Sequence, residues 1–207
     1  MEKNAKPITN DCSMAGIKPA VLPMPYPPIQ AWCRNPGYAA ILTNDYCGAV
    51  SELSAITQYI NNENRLCMEN CRLARTLLEI AMAEMMHLQK LGELITLLGG
   101  EVDFSAIRPN GAQVQWTPSC LSIPRNARKM LCADIQAEKD AIAQYKEHIG
   151  MISDECVNAV LRRIIRDEEY NIIKTHPLIG ADILENISEI PEIAIGARWH
   201  HERYDGK

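Results

Sequence analysis

The chain has 207 residues, of which 47% are apolar, and a formal net charge of −5. This length and composition fit one globular domain of ordinary size, and the net negative charge argues against a protein that coats nucleic acid. No apolar run reaches the ~18–20 residues of a membrane span, and the first residues lack the apolar segment of a signal peptide. We therefore expect a cytoplasmic protein without a membrane partner.

The first 34 residues are predicted to form an extended arm. Five prolines between Pro19 and Pro28 interrupt this segment, and proline removes a backbone donor and breaks helices. We therefore expect residues 1–34 to follow a polyproline-like path along the surface.

Four helices are predicted between residues 35 and 176, and the C-terminal extension covers 177–207. The first begins at the Asn35 cap, the second stops at Gly99, the third ends at Gly150, and Pro177 stops or kinks the fourth. A link without helical periodicity, 101–123, crosses the fold between the second and third helices. The predicted bounds are 35–64, 70–98, 125–148 and 153–175. The chain is therefore predicted to be all-α, a four-helix bundle of two antiparallel hairpins joined by one long crossover.

The eight cysteines include no Cys-x-x-Cys pair, which argues against a zinc ribbon or a rubredoxin-type iron centre. In a cytoplasmic chain we expect reduced, mostly buried thiols. Cys67 and Cys71 lie one helical turn apart, so a redox or metal role for this pair stays open as an alternative.

The two predicted hairpins carry an internal repeat. Residues 52–59, ELSAITQY, and residues 138–145, EKDAIAQY, share five of eight positions, including Glu52 with Glu138 and Tyr59 with Tyr145. Repetition of this kind indicates that the two halves place equivalent side chains at equivalent positions.

The repeat glutamates each have a partner at the same height in the neighbouring helix. Glu52 and Glu84 are equidistant from position 68, and Glu138 and Glu168 are equidistant from position 153, where the two turns are predicted. His87 follows Glu84 by three residues, so these two side chains share one helix face. Four inward carboxylates need cations, and a mixed oxygen and imidazole donor set suits iron or manganese.

These motifs resemble those of the ferritin-like dimetal-carboxylate proteins. The resemblance covers residues 36–176 and is nearest to the rubrerythrin and bacterioferritin groups and more distant to the manganese catalases. It implies a ferritin-like bundle that binds two iron or manganese ions, with Glu52 and Glu138 as terminal ligands. Glu84 and Glu168 would bridge the ions, and His87 would cap one of them.

The sequence departs from the family pattern at one position. The second Glu-x-x-His should end at position 171, where this chain has Asn171. Three outcomes are open. Asn171 or a water completes a lopsided dimetal site, only the ion held by His87 persists, or the site is degenerate and held together by hydrogen bonds and protonated acids.

No other histidine has a spacing that replaces the missing ligand. His148 and His176 lie at unsuitable helical angles, and His200 and His201 are assigned to a solvated tail. Met85 follows Glu84 as a haem-ligating methionine does in bacterioferritins, but we assign it to packing and do not expect haem.

Aromatic and acidic residues near the predicted ligands have two interpretations. Tyr59 and Tyr145 each lie seven residues past a ligand glutamate, so they either hydrogen-bond to ligand carboxylates, as the resemblance implies, or fill the core with satisfied hydroxyls. Glu169 and Tyr170 are predicted to lie off the metal-binding face.

Three functions are consistent with this pattern. The first is an oxidoreductase acting on peroxide, O2 or ferrous iron, either with an external electron donor or by catalase-like dismutation. The second is a non-catalytic iron- or manganese-binding protein, and the third is a structural bundle that has lost its chemistry. The resemblance also implies a homodimer or a larger homo-oligomer.

Overall fold

The computed structural model describes the backbone of residues 10–184 and the side chains of residues 10–175. Within this part, five α-helices are joined by short turns and one long link. The helices are α1 (Pro36–Cys47), α2 (Glu52–Leu66), α3 (Cys71–Leu97), α4 (Ala127–Met151) and α5 (Glu155–Leu184). The all-α ferritin-like bundle is confirmed, and none of the described helices combines the length and apolar character needed to cross a bilayer.

The bundle consists of two hairpins, α2 with α3 and α4 with α5. The hairpins join where α2 packs against α4 and α3 packs against α5. The predicted turns near positions 68 and 153 are confirmed, because α2 ends at Leu66 and α5 begins at Glu155. The layer in which the four helices meet is therefore the place where side chains from all of them converge.

The first predicted helix is in fact two helices, so the prediction of one helix over 35–64 is wrong. A break after Cys47 separates α1 from α2, and Ser51 caps the new helix by accepting a hydrogen bond from the Ser54 amide at 3.2 Å. At Gly48 a Cβ would lie 2.5 Å from the carbonyl oxygen of Asn44, so the backbone passes too closely for any larger residue.

Two other helices extend past their predicted ends. The helix α4 ends at Met151, one residue beyond Gly150, and α5 reaches Leu184, so Pro177 does not stop it. A proline or glycine inside a helix weakens it but does not always end it, because the neighbouring turns retain their hydrogen bonds. The stop after α3 is confirmed, since Gly99 adopts the left-handed conformation (φ +88°) that closes many helices.

The link between the hairpins contains a small β-hairpin that was not predicted. Strand β1 (Ser105–Ile107) pairs in antiparallel register with β2 (Gln113–Gln115). Backbone groups of Ile107 exchange hydrogen bonds with the side chains of Thr43 and Asn44 on α1, which fixes the hairpin against that helix.

Between residues 10 and 34 the N-terminal arm contains neither helix nor strand and consists of irregular backbone with turns and bends; residues 1–9 lie outside the described part of the chain. The Ala20 amide donates to the Glu79 carbonyl oxygen, which holds the arm along α3. A disulfide joins Cys12 to Cys71, so the prediction that all eight cysteines are reduced is wrong. The pairing spans 59 residues of sequence and is visible only once the arm is placed beside α3. Among the unpaired cysteines only Cys47 is buried.

Two apolar clusters fill the bundle, one at each end. On α3 the first cluster includes Leu73 and Leu77, and the second includes Leu91 and Leu94. Glu84 lies between these two sets and is 1% exposed. A polar layer therefore lies between hydrophobic packing on both sides along the bundle.

Candidate metal centre

All five residues predicted as charged or imidazole ligands lie buried in this polar layer. The first residue of α2 is Glu52, and its position is set by the α2 cap. Glu84 and His87 come from the middle of α3, Glu138 from α4 and Glu168 from α5, so each helix of the two hairpins contributes.

His87 is the meeting point of three carboxylates. Its Nδ1 atom lies 2.8 Å from Glu84 Oε2, 3.0 Å from Glu168 Oε1 and 3.6 Å from Glu52 Oε2. One donor atom from each of these four residues lies within 4.8 Å of the other three. Donor atoms this close together, drawn from carboxylates and an imidazole, form a set that suits Mn, Fe or Zn.

Glu138 lies beside this group of four but outside it. It lines the same cavity as Glu52, Glu84 and Glu168, and Glu168 is its main charged neighbour. The structure thus places the fifth predicted ligand at the edge of the site rather than at the centre.

The repeat tyrosines bond crosswise between the two halves. Tyr59 on α2 donates a hydrogen bond to Glu138 on α4, and Tyr145 on α4 donates one to Glu52 on α2. The structure therefore supports the interpretation in which these tyrosines hold ligand carboxylates. Each binds the glutamate of the opposite hairpin rather than the one on its own helix.

Burial and mutual repulsion control the charge of this site. Burial raises the pKa of Glu84 and Glu138 well above the usual range, with neighbouring charges adding to the effect, and raises the pKa of Glu168 to about 8. Burial would also raise the pKa of Glu52 and lower that of His87. His87 reverses this direction for Glu52, and Glu84, Glu168 and Asp167 reverse it for His87, so the pKa of Glu52 is lowered and that of His87 is raised. The other three glutamates therefore hold protons near neutral pH unless positive charge is bound beside them.

Several buried oxygens in this layer lack hydrogen-bond donors. Glu168 Oε1 has only the shared contact with His87 Nδ1, and among the described residues Glu168 Oε2 and the amide oxygen of Asn171 have no hydrogen-bond partner. Unpaired buried acceptors are uncommon in folded proteins. Acceptors without donors, beside acids that ionise together only near positive charge, fit a bound cation.

Asn171 faces the site, as the sequence register predicts. It is fully buried, and its Nδ2 donates a hydrogen bond to Glu84 Oε1 at 3.2 Å. The amide therefore lies where the family pattern places the second imidazole.

The contacts on the far side of the His87 ring were not predicted from the sequence. The Nε2 atom of His87 lies 3.3 Å from Asp167 Oδ2. Asp167 also accepts hydrogen bonds from the Tyr26 hydroxyl and the Leu22 amide, and it pairs with Arg163. Burial would raise the pKa of Asp167, but its bonds to His87, Arg163 and Tyr26 lower it to about 2. A carboxylate on the far nitrogen of a ligand histidine is the usual support of a metal site.

The helices that carry this donor set match a known protein family. A family model for the ferritin-like domain matches residues 51–180. The chain belongs to the ferritin-like family. The match spans all four helices that contribute to the site, which confirms the resemblance inferred from the motifs.

Known relatives of this ferritin-like chain include manganese catalases. A probable manganese catalase from Clostridium acetobutylicum is 26% identical over 153 residues, covering 66% of this chain and 67% of the relative. The crystal structure of KatB, a manganese catalase from Anabaena PCC7120, has a TM-score of 0.64 at 25% identity and covers 80% of this chain and 79% of that one.

Bacterioferritin shares the fold of this ferritin-like chain. The structure from Rhodobacter capsulatus has a TM-score of 0.58 at 20% identity, and the match covers 79% of this chain and 94% of that one. At this identity the likeness concerns the fold alone.

The other histidines and the neighbours of the predicted ligands, where the structure describes them, lie away from the metal layer of this ferritin-like chain. His148 pairs with Asp45, with 2.8 Å between Nδ1 and Oδ2, rather than with any predicted ligand. Glu169 is exposed and Met85 is 46% exposed, so the packing role expected for Met85 is only partly met. Tyr170 is half-buried and its ring lies beside Lys174. The side chains of His176, His200 and His201 lie outside the described residues.

A cavity of about 280 Å³ opens onto the metal layer between α2 and α4. Its lining includes the carboxylates of Glu52, Glu84, Glu138 and Glu168 and the side chain of Tyr145. A small molecule in this cavity would therefore be in contact with the candidate ligands.

Proposed function

We propose that this protein binds two manganese or iron ions, manganese in preference, and disproportionates hydrogen peroxide to water and dioxygen. The observation that carries the proposal is the convergence of donor atoms from Glu52, Glu84, His87 and Glu168 within 4.8 Å. The likeness to manganese catalases in sequence and fold supports manganese and peroxide.

The proposed ligands divide between the two ions. His87 Nδ1 and the carboxylate of Glu52 would hold one ion, Glu138 and the amide oxygen of Asn171 the other, and Glu84 and Glu168 would contact both. A redox-active metal pair of this kind supplies and accepts the two electrons that convert peroxide to water or to dioxygen.

The protein's own side chains would keep the ligands in place. Tyr59 and Tyr145 orient the carboxylates of Glu138 and Glu52 through their hydroxyl groups. Asp167 directs His87 Nδ1 toward the carboxylates by binding its Nε2. The ligand side chains are buried between the two apolar clusters, which strengthens each electrostatic contact among them.

A second candidate function is metal binding without turnover. Asn171 favours it, because an amide oxygen is a weaker ligand than an imidazole for these ions. In this case one ion near His87 would be retained and the second position would bind weakly. An oligomeric assembly, an external electron donor and a cytoplasmic location stay predictions.

Metal analysis combined with oxygen measurement tests the proposal. Protein purified without chelator from cells supplied with manganese and iron should contain about two metal ions per chain and release one O2 for every two molecules of hydrogen peroxide consumed. Bound metal without peroxide consumption would favour the second candidate. Metal-free protein under these conditions would contradict both.

A further inference from the structure

The cavity beside the metal layer is larger than hydrogen peroxide requires. Its volume is about 280 Å³, whereas a water molecule occupies roughly 30 Å³ in the liquid, so there is room for about nine waters. Hydrogen peroxide has only one more heavy atom than water. The size of the cavity instead approaches that of sites which hold small organic molecules.

Small side chains leave this space open. Ala133, Ala137 and Ala141 follow one another at four-residue intervals along α4, which places them on one line facing the cavity. Ala55 lines the cavity from α2. These methyl groups form an apolar wall beside the carboxylates.

A buried carboxylate oxygen without a donor marks the reactive end of the cavity. Glu168 lines the cavity and is 1% exposed, and its Oε2 has no hydrogen-bond donor among the described residues, whereas its Oε1 lies 3.0 Å from His87 Nδ1. The cavity therefore has a polar end at the metal layer and an apolar wall along α4.

The charge of the cavity restricts what it can bind. Its lining contains carboxylates beyond the candidate ligands, namely Asp45, Asp134 and Asp140, and no lysine or arginine among the described lining residues. Anionic organic molecules would be repelled by this field. A neutral ligand is favoured.

We propose that the cavity binds a neutral organic hydroperoxide, with its peroxide group at the carboxylate end and its organic group against the alanine wall. This inference rests on the proposed function and names a second substrate class for the same site. Hydrogen peroxide is the reductant.

The reaction balances without any other electron donor: ROOH + H2O2 → ROH + H2O + O2. The O–O bond of the organic hydroperoxide breaks, and hydrogen peroxide loses two electrons and two protons and becomes dioxygen. The two protons are taken up by the alkoxide and hydroxide fragments, which leave as alcohol and water.

The test uses metal-loaded full-length protein with cumene hydroperoxide and hydrogen peroxide supplied together. Formation of cumyl alcohol is followed by chromatography, and dioxygen is measured with 18O-labelled hydrogen peroxide. When a fixed amount of hydrogen peroxide is fully consumed, we expect the dioxygen above the yield from hydrogen peroxide alone to be half the amount of alcohol, because each molecule diverted from disproportionation releases one dioxygen instead of half of one. Both atoms of the dioxygen should be labelled.

Two variants narrow the cavity, and one serves as a matched control. Ala137→Leu and Ala133→Leu add the same bulk to the wall at different depths, so one remains informative if the other fails to fold. Ala143→Leu adds the same side-chain bulk at an exposed position of the same helix, outside the cavity lining. The ratio of cumene hydroperoxide turnover to hydrogen peroxide turnover should fall roughly tenfold or more in the wall variants and stay unchanged in the control.

Binding of cumyl alcohol gives a readout that does not depend on turnover. Ligand-detected NMR should show binding to the parent and to Ala143→Leu, and weaker binding to Ala137→Leu. Consumption of hydrogen peroxide without cumene hydroperoxide consumption or alcohol binding would overturn this inference and leave the proposed function intact. Failure to consume either peroxide would overturn both.

Discussion

His87 and Asp167 are joined by a contact of 3.3 Å between Nε2 and Oδ2, on the side of the imidazole that faces away from the glutamates. The contact fixes the ring so that Nδ1 points into the group of carboxylates. Asp167 in turn is held by Tyr26 from the N-terminal arm and by Arg163 from its own helix. The arm, which precedes the family match at residue 51, is therefore part of the support of the metal centre.

Replacing Asp167 with asparagine should weaken metal binding by about 10–100-fold, because the outer support of a ligand histidine has effects of this size. It should also lower the free energy of unfolding by roughly 3 kcal/mol, because the charge of Arg163 then lies buried without its partner. Metal affinity is measured by chelator competition at a temperature where circular dichroism shows the variant folded. Tyr26→Phe, which removes one hydrogen bond only, should have a smaller effect on both quantities. Unchanged affinity in folded Asp167→Asn would show that the contact does not support a ligand.

Asn171→His should raise the metal content per chain, because position 171 is buried and faces Glu84. An imidazole here would supply the donor that the family pattern places at this position. Tyr170→His is the matched control, since Tyr170 is half-buried beside Lys174 rather than in the metal layer. Elemental analysis of the purified variants distinguishes them. Equal metal content in Asn171→His and the parent would mean that position 171 does not contact the ions.

The two crossed tyrosine hydrogen bonds should contribute similar amounts to the free energy of unfolding. Tyr59→Phe and Tyr145→Phe each leave a buried carboxylate oxygen without its hydroxyl donor, which costs roughly 1–3 kcal/mol. Urea unfolding of the metal-free protein measures both losses, with Tyr170→Phe as a control off the metal face. A neutral effect in one variant and a large loss in the other would show that the two halves are not equivalent.

Asp134 gives a pH-dependent prediction away from the ligands. Burial raises its pKa from 3.8 to about 6, although Gln58 and Asn62 donate hydrogen bonds to it and lower the value. The folded protein therefore binds a proton that the unfolded chain releases, so this residue's contribution to stability is present at low pH and is lost as pH rises through about 6.

Asp134→Asn removes that titration. Between pH values near 5 and near 7.5 the parent should lose roughly 1.4 kcal/mol of stability through this residue, and the variant should not. The free energy of unfolding of each protein is measured at the two pH values, and the change between them is compared between parent and variant. Any effect of the amide that does not depend on pH then cancels. Parallel pH profiles would contradict the assignment.

The sequence was sufficient to predict that the candidate ligands share one buried layer. Glu52 and Glu84 are equidistant from one turn, and Glu138 and Glu168 from the other, so helical geometry alone sets their common height. The repeated Glu and Tyr positions indicated a symmetric arrangement, and the crossed bonds of Tyr59 and Tyr145 are its structural form.

The sequence was not sufficient where contacts join distant segments. The bond of Tyr26 to Asp167 and the disulfide of Cys12 depend on where the arm runs, and proline-rich segments carry no periodicity that predicts their partners. One local signal was available, because Arg163 and Asp167 have the four-residue spacing of a helical ion pair. The break after Cys47 was missed because the apolar pattern continues across it, although Gly48 and the Ser51 cap together indicate a new helix start.

We propose that divalent cations neutralise the carboxylates that converge between the helices. The decisive experiment is anomalous diffraction from crystals of the full chain, grown after purification with manganese and iron and collected at both metal edges. We predict an anomalous peak within coordination distance of His87 Nδ1 and the carboxylates of Glu84 and Glu168, with a second peak toward Glu138. Absence of any anomalous peak in this layer, in protein supplied with both metals, would mean that these carboxylates do not bind a cation.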